Sequence, residues 1–515
     1  MTEQFRDYLQ KLIDVDELEK VSTEVDLRHV SALVGASPKA LWFERVRGYD
    51  FDLVSGILGS RKRMGVCLDC DHRDIGKKFM ERIGHRQAPK MIETSPVKEV
   101  ILRGDEIDLT AIPVPLTSQL DGGPYITGGI GVCKDPEFGR NVGMYRLMIR
   151  TTRETSIDMV SASDLKLFYE RAFEKGQSLP FAVAIGTQPA VMMGAAHMAA
   201  AGTDEFELAG GLAGEPIELV KCETVDLEVP ADSEIVLEGE LLPIGWTEDE
   251  GRFGDFSGFV GPVKWNPVFR VNAVTYRKRP IYYSLHMPNE VDYLVAPPLE
   301  GSAWQALATA GITGQAVYAP QSSGCNFHLF ASIKKRPGEG KNAVMALLSL
   351  KRVKHVVVTD EDVDIFDPAA MDRAMAYRVR PTRDVMIFDG ARASHLDPSI
   401  QLDVGKGSLI ALTGKWGVDA TIPEGSDISD YEVIEYPLIE QLPVPATDPG
   451  LMPEALAEQI AAFLATPKHF NDVVQHFDTE SFRSIMLAWS VLRVEKRFGR
   501  EEKTGKYIVE TETAA

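Results

Sequence analysis

Six β-branched or aromatic runs fall between residues 126 and 287, and almost no helical pattern separates them. They are ITGGIGVCKD, GMYRLMIRTT, EPIELVKCE, SEIVLEGELLPI, FRVNAVTYRK and PIYYSLHM, each bounded by turn-forming residues. Strands that follow one another without intervening helices pair antiparallel. This block is therefore expected to be an antiparallel sheet or barrel and not a doubly wound domain. One helix, at about 164–175, interrupts it, and a second candidate spans Gly301–Gly311.

The flanks read differently. Residues 3–21 place Phe5, Leu9, Leu12 and Ile13 near helical spacing, and ALWFERV and FDLVSGIL read as strands, giving an N-terminal α/β domain over 1–110. The proline-punctuated PVKEVILRGDEIDLTAIPVPL reads as an extended strap into a β-rich domain at 111–320. Beyond it, SSGCNFHLFASI and HVVVTDEDVDI read as strands, NAVMALLSL and AAMDRAMAYRV as helices, so 321–450 is a C-terminal α/β domain, loop-rich from 390 onward. Residues 453–466 and 479–498 read as amphipathic helices of a C-terminal tail over 451–515, suited to packing on another subunit. The fold class is a mixed α+β and α/β multidomain chain.

Charge narrows the partners. With 55 Lys+Arg against 76 Asp+Glu the net charge is −21, a field that repels nucleic acid and anionic membrane surfaces. An anionic substrate must meet a local positive group in a cleft. The most apolar stretch, Phe181–Gly202, is broken by Gln188, Pro189 and His197, and the start MTEQFRDYLQK lacks the apolar core of a signal peptide, so a cytoplasmic protein is expected. Five cysteines in 515 residues make no disulfide framework, and the C-x-x-C of Cys67 and Cys70 has no second pair to complete a zinc site.

Three clusters carry candidate chemistry. In Gly139-Arg140-Asn141-Val142-Gly143-Met144-Tyr145-Arg146 a turn runs into a strand, where Asn141 and Arg146 point to opposite faces unless a bulge or the turn brings them together. Alone they read as a turn residue and a surface cation. In Glu248-Asp249-Glu250-Gly251-Arg252-Phe253-Gly254-Asp255-Phe256-Ser257-Gly258 three carboxylates crowd a glycine-rich loop. Carboxylates held close together split their proton affinities, which is what a general acid requires, although a solvated acidic turn has the same composition. In Gly202-Thr203-Asp204-Glu205-Phe206-Glu207 an acidic helix start has Thr203 as its expected cap, and with Asn141 it offers oxygen ligands for a hard cation. His286 and His328 lie on apolar strands and read as core histidines.

Taken in order, DGGPYITGG (121–129), GRNVGMYR (139–146), LPFAVAIGTQPA (179–190), the long segment 204–240, EGRFGDFSG (250–258) and HVVVTDEDVDIFD (355–367) resemble the UbiD family of prenylated-FMN-dependent decarboxylases. The resemblance runs from about residue 10 to about 440. It implies a central flavin-binding split β-barrel between N-terminal and C-terminal α/β domains. It further implies that Arg146 lies beside the reactive flavin, that Glu250 pairs with that arginine, and that Asp255 protonates the decarboxylated carbon. Asn141, Asp164 and Glu205 correspond to ligands of a divalent metal, Mn2+ or Mg2+, that holds the cofactor phosphate, with K+ as an additional ion. Asp164 stands where many members carry histidine. Met144, Tyr145, Arg146, Ser161, Ala162, Ser163, Leu165 and Lys166 correspond to cofactor contacts.

The family's substrate pocket maps onto Leu285, His286, Met287, Asn289, Asp292, Tyr293 and Leu294, together with Asn326. This mixture suits a flat aromatic, heteroaromatic or α,β-unsaturated acid, and no arginine in the stretch clamps a second carboxylate. The implied activity is reversible, non-oxidative decarboxylation. Ring carboxylation as the physiological direction and a non-catalytic subunit of a carboxylase complex are the alternatives. Implied partners are a flavin prenyltransferase that supplies the cofactor and further copies of the chain in a homodimer or larger homo-oligomer.

Overall fold

The computed structural model describes residues 4–509 apart from 160–162, 198, 200–201, 393, 395–396, 401–410, 435, 438–450, 496–497 and 503. Ser161 and Ala162 thus lie outside the described residues. Two compact units are present, 1–421 and 422–515.

The first unit opens with helix Phe5–Asp14, which buries Phe5, Tyr8, Leu9 and Leu12. The helix ends seven residues earlier than residue 21. Asp16 takes a left-handed backbone (φ 60), and the chain continues as strand Leu18–Val21, parallel to Ala40–Phe43. Asp52–Ser55 and, from much later in the chain, Ile281–Ser284 complete this four-stranded sheet.

The central block is a nine-stranded sheet. Its path runs Tyr125–Ile126, Leu147–Ile149, Glu154–Ile157, Val268–Tyr276, Ile235–Leu241, Leu179–Ile185, Gly129–Asp135, Gly139–Met144. Val100–Arg103, in the stretch read as a strap, pairs with Val268–Tyr276, and every pairing in the sheet is antiparallel, but two of the six runs fall outside it: Glu218–Lys221 pairs parallel with Lys90–Met91 and Ile281–Ser284 parallel with Asp52–Ser55. A bulge at Glu238/Gly239 brings two strands so close that a Cβ on Gly239 would lie 1.9 Å from the Arg270 carbonyl oxygen. Helix Asp164–Glu174 packs where the sequence places it, capped by Ser163. Helices Pro189–Ala196 and Glu205–Ala213 are buried on nearly every side and so show no amphipathic stripe in the sequence.

The last part of this unit is a five-stranded sheet in the order Gly314–Tyr318, His328–Ile333, His355–Asp360, Leu412–Asp419, Val385–Arg392. Leu412–Asp419 corrects the reading of 390–450 as loop-rich, because it pairs parallel with His355–Asp360. Its sequence, LTGKWGVD, hides the strand. Gly417 makes room for Val344, and Lys415 reaches the carbonyls of Leu348 and Leu350.

The second unit has its own core of Leu456, Ile460, Leu464, Val473, Ile485, Trp489 and Leu492. Helices Pro453–Phe463 and Phe482–Val494 match the sequence reading, and a third, Phe470–His476, lies between them in the chain. Among the described residues no helix is long and apolar enough to cross a membrane.

Candidate active site

Arg146 lies in the short connection between strands Gly139–Met144 and Leu147–Ile149, and three carboxylates converge on it. Its Nε donates to Glu250 Oε1 at 2.8 Å and its Nη1 to Asp255 Oδ2 at 3.2 Å, while Nη2 lies 3.1 Å from Asp158 Oδ2. Arg146 also stacks over the Phe253 ring, 4.5 Å from its centroid. Arg146, Glu250 and Asp255, widely separated in the chain, are thus in direct contact.

The loop that carries the two acids is fixed from several sides. Strand Glu248–Glu250 pairs with Lys264–Asn266, and Asn266 Nδ2 donates to Glu250 Oε2 at 2.6 Å. Asn266 Oδ1 accepts from the Met159 amide at 3.3 Å, which ties the acid to the segment bearing Asp158. Asp121 accepts from the amides of Gly254 and Ser118, both at 2.8 Å. Tyr125 donates to the Gly251 carbonyl at 3.1 Å and packs on Phe253. Gly122 and Gly251 touch backbone to backbone, since a Cβ on Gly122 would come within 2.4 Å of the Gly251 Cα. The segments 121–129 and 250–258 are therefore two halves of one clamp.

The charges do not balance. Glu250, Asp255 and Asp158 share Arg146 and Lys264, whose Nζ lies 3.4 Å from Asp158. Burial works to lower Arg146, but Asp158, Glu250 and Asp255 outweigh it and raise it, so it stays a cation. Glu250 is 0% exposed. Burial pushes its carboxyl up, against the opposing pull of Arg146.

A second group surrounds Glu205, which is 7% exposed at the start of helix Glu205–Ala213. Its Oε2 accepts from the Val142 amide at 2.9 Å. Burial raises the Glu205 carboxyl to about 7, and the charges of Asp204 and Asp164 add to the effect. Asn141 uses its amide nitrogen toward Tyr145 Oη (3.1 Å) and Cys133 Sγ (3.7 Å), so the strand folds Asn141 back on Tyr145. The helix cap is Asp204, which accepts from the Phe206 amide, and not the expected Thr203. Among the described residues no three His, Cys, Asp or Glu side chains gather for a metal. The donor set here is two carboxylates and an amide, oxygen chemistry that fits a hard cation.

The remaining positions differ. Met144 is half-buried, and Tyr145 fills space left by Gly143, where a Cβ would lie 2.6 Å from the tyrosine Oη. Ser163 Oγ caps its helix, Lys166 Nζ lies 3.8 Å from Glu170, and Leu165 is a fully buried core residue. Of the pocket residues, Leu294 is core, and the His286 ring lies against Gly35, where burial lowers its basicity. Asp292 and Asn326 are buried, and the Oδ1 atom of each finds no hydrogen-bond partner.

Sequence reasoning did not single out Asp158, Lys264, Asn266, Phe253 or Asp121. The signal for Asp121 and Phe253 lay inside the two glycine-rich motifs. Asp158, Lys264 and Asn266 stand in short runs whose pairing with Glu250 appears only in three dimensions.

Three successive segments match one family: 7–83 the N-terminal domain, 90–289 the Rift-related domain and 292–420 the C-terminal domain of 3-octaprenyl-4-hydroxybenzoate carboxy-lyase. The chain belongs to this UbiD family of carboxy-lyases. It is 33% identical over 386 residues to anhydromevalonate phosphate decarboxylase of Methanothermobacter thermautotrophicus, across 73% of this chain and 87% of that protein. The UbiD-class enzyme HmfF from Pelotomaculum thermopropionicum, in complex with FMN, is similar with a TM-score of 0.78 at 35% identity, covering 84% of this chain and 97% of that one. An evolved dimeric form of HmfF, in complex with prFMN, gives 0.76 at 34% over the same 84% and 97%. Apo 3,4-dihydroxybenzoic acid decarboxylase (AroY) of Klebsiella pneumoniae gives 0.76 at 26%, covering 86% and 99%. The mixed architecture with its curled half-barrel sheet is that of these enzymes.

Proposed function

We propose that this carboxy-lyase removes CO2 reversibly from an aromatic, heteroaromatic or α,β-unsaturated acid, with prenylated FMN as cofactor. The observation that carries the reading is Arg146 clasped between Glu250 at 2.8 Å and Asp255 at 3.2 Å. The bound flavin would supply an electron sink for the carbanion that departing CO2 leaves behind. Arg146 would bind and orient the substrate carboxylate, in competition with Asp255 for Nη1. Glu250, anchored by Asn266, fixes the guanidinium through a charge-assisted pair. Asp255, freed from Arg146 by the incoming carboxylate, would deliver a proton to the decarboxylated carbon. The packing of Phe253, Tyr125 and Met148 beside the cluster keeps water away from the carbanion.

Asn141, Asp164 and Glu205 would hold the divalent cation, Mn2+ or Mg2+, with the cofactor phosphate, and Ser163 and Lys166 stand on the adjoining helix start. Glu205 supports this most directly, as a buried carboxylate with Asp204 and Asp164 beside it. The intact Arg146, Glu250 and Asp255 set speaks for an active enzyme over a non-catalytic subunit.

The test is co-expression with a flavin prenyltransferase in the presence of manganese. Cofactor mass and CO2 release from a panel of acids are then measured. The expected result is bound prenylated FMN and CO2 from at least one acid. Folded, metal-supplied protein that carries no flavin and releases no CO2 would overturn the reading.

A further inference from the structure

The second unit lies beyond the segments that match the family, which end at residue 420. Its elements run in the order helix Pro453–Phe463, an isolated bridge at Lys468, helix Phe470–His476, helix Phe482–Val494 and the antiparallel hairpin of Phe498–Arg500 with Tyr507–Val509. Lys468 closes onto the hairpin. Its amide donates to the Tyr507 carbonyl at 3.0 Å, and its carbonyl accepts from the Tyr507 amide at 2.7 Å. Three helices, with a strand bridge after the first and a hairpin after the third, make a helix-turn-helix with a β-wing. Such a unit braces its last helix against the other elements and presents the outer face of that helix to a partner.

The inner face of Phe482–Val494 is fully used. Ile485, Ala488, Trp489 and Leu492 are buried, and the Trp489 ring meets Phe470 and Tyr507 edge to face, 4.8 and 4.9 Å between centroids. The outer face is not one that water selects. Phe482 is 60% and Val494 81% exposed, with Met486 and Leu487 nearly half exposed between them. At 3.6 residues per turn these four share one side of the helix. Arg483 and Arg493 are the charged residues on that side, and no acid stands among them. Leu451 and Met452, also exposed, extend the apolar surface at the helix start, where the Leu451 amide donates to Glu480 Oε1 at 3.3 Å.

Two classes of partner meet a helix presented in this way. Nucleic acid is read by side chains that exchange hydrogen bonds with base edges, and Phe482, Met486, Leu487 and Val494 have none to offer. Phenylalanine, methionine and arginine without acids are the composition of protein interfaces. Charge specifies the partner further. Residues 481–509 hold seven Lys or Arg against three Glu, in a chain whose net charge is −21. Arg493 and Arg500 both lie over the Tyr507 ring, 6.0 and 5.3 Å from its centroid, so the wing adds positive charge beside the end of the helix. Paired with its own copy, this face would set arginine against arginine with no acid on either side. A segment with large apolar side chains flanked by Asp or Glu answers both the apolar surface and the charge.

We propose that the outer face of helix Phe482–Val494, with the wing beside it, is a docking surface for another protein, and that it takes an acidic segment bearing large apolar side chains. Phe482, Met486 and Leu487 supply the contact area, and Arg483 and Arg493 fix the orientation of the acidic segment. The proposal is independent of the decarboxylase reading, which it neither uses nor alters.

The test uses the full chain, immobilised, and a displayed library of random peptides. Selected peptides are synthesised and their affinities measured by calorimetry. Enrichment is expected for peptides that combine Asp or Glu with Leu, Ile, Phe or Trp, each losing about 30-fold or more in affinity against Met486→Asp. Phe482→Ser, a second exposed position, is expected to give the same loss independently of any effect of Met486→Asp on folding. Arg483→Glu is expected to lose less, by an amount that shrinks as salt rises. No enrichment, enrichment of basic peptides, or peptides held equally by Met486→Asp and Phe482→Ser would overturn the proposal. Retention of random-sequence duplex DNA by the wild type and its loss in Arg483→Glu would make the face a nucleic-acid surface and overturn it as well. A lower sedimentation coefficient for Phe482→Ser than for the wild type would assign the face to a second copy of the chain, with the same consequence.

Discussion

Glu250, Asp255 and Asp158 each touch Arg146, whereas the buried carboxyl of Asp292 touches no cation. Both regions border the loop 250–258, Asp292 by way of Gly324 and Phe256, and both are nearly dry. Their difference separates two ways in which a fold keeps a buried acid. The arginine cluster is organised before substrate arrives, with its donors aimed and its orientation fixed by Asn266, Asp121 and Tyr125. The Asp292 carboxyl has a buried oxygen that no donor meets. The first arrangement is costly to disturb, the second costly to keep.

The sharpest way to break this comparison is at the chemistry. Asp255→Asn keeps the shape of the side chain and removes its acid function. CO2 release is expected to fall by about 10²–10⁴-fold, with the flavin absorption spectrum of the holoenzyme retained. Near-normal turnover would remove Asp255 from its proposed role and leave the arginine cluster as a structural knot.

Next comes the paired character of the cluster. Arg146→Met leaves Glu250 buried with no counter-ion and should destabilise the fold by about 3–5 kcal/mol. Urea unfolding of the apo protein measures this independently of activity. A smaller loss is expected from Asn266→Leu, which strips Glu250 Oε2 and the Met159 amide of their partner and should cost about 1–3 kcal/mol. Because Glu250 then loses its anchor, kcat should fall more than KM rises. A stability loss with unchanged kcat would make Asn266 a structural residue only.

The sheet was legible because its strands alternate and are punctuated by turns. Period-two patterns survive wherever one face is more buried than the other, as in Val268–Tyr276. Leu412–Asp419 was not legible, since its glycines and Lys415 serve packing and carbonyls that belong to other elements. Helix Pro189–Ala196 was missed for the opposite reason, being buried all round. At the site, the family motifs marked Arg146, Glu250 and Asp255, but their contact with Asp158, Lys264 and Asn266 depends on the pairing of Glu248–Glu250 with Lys264–Asn266. Nothing in local sequence sets that register. The unpartnered oxygens of Asp292 and Asn326 are a property of their surroundings and had no sequence signal at all.

The smallest expected effect tests the unpaired side of the comparison, and it has the opposite sign. In the apo protein near pH 4, Asp292→Leu removes a buried carboxyl that has no partner, so it should stabilise the fold by about 1 kcal/mol there. The gain depends on pH. The Asp292 carboxyl is raised to about 8 in the folded chain, against an ordinary value of 3.8. Between those values the unfolded chain has released the proton and the folded chain has kept it, so wild-type stability falls as pH rises through this window. Tyr293 and Cys325, the titratable groups that face Asp292, are pushed up by burial and stay neutral there. The variant lacks this loss. Its advantage in thermal unfolding should therefore widen from pH 4 toward pH 8 and level off above. If Asp292→Leu destabilises as Arg146→Met does, Asp292 is held by the fold like the arginine cluster, and the two regions do not differ in kind.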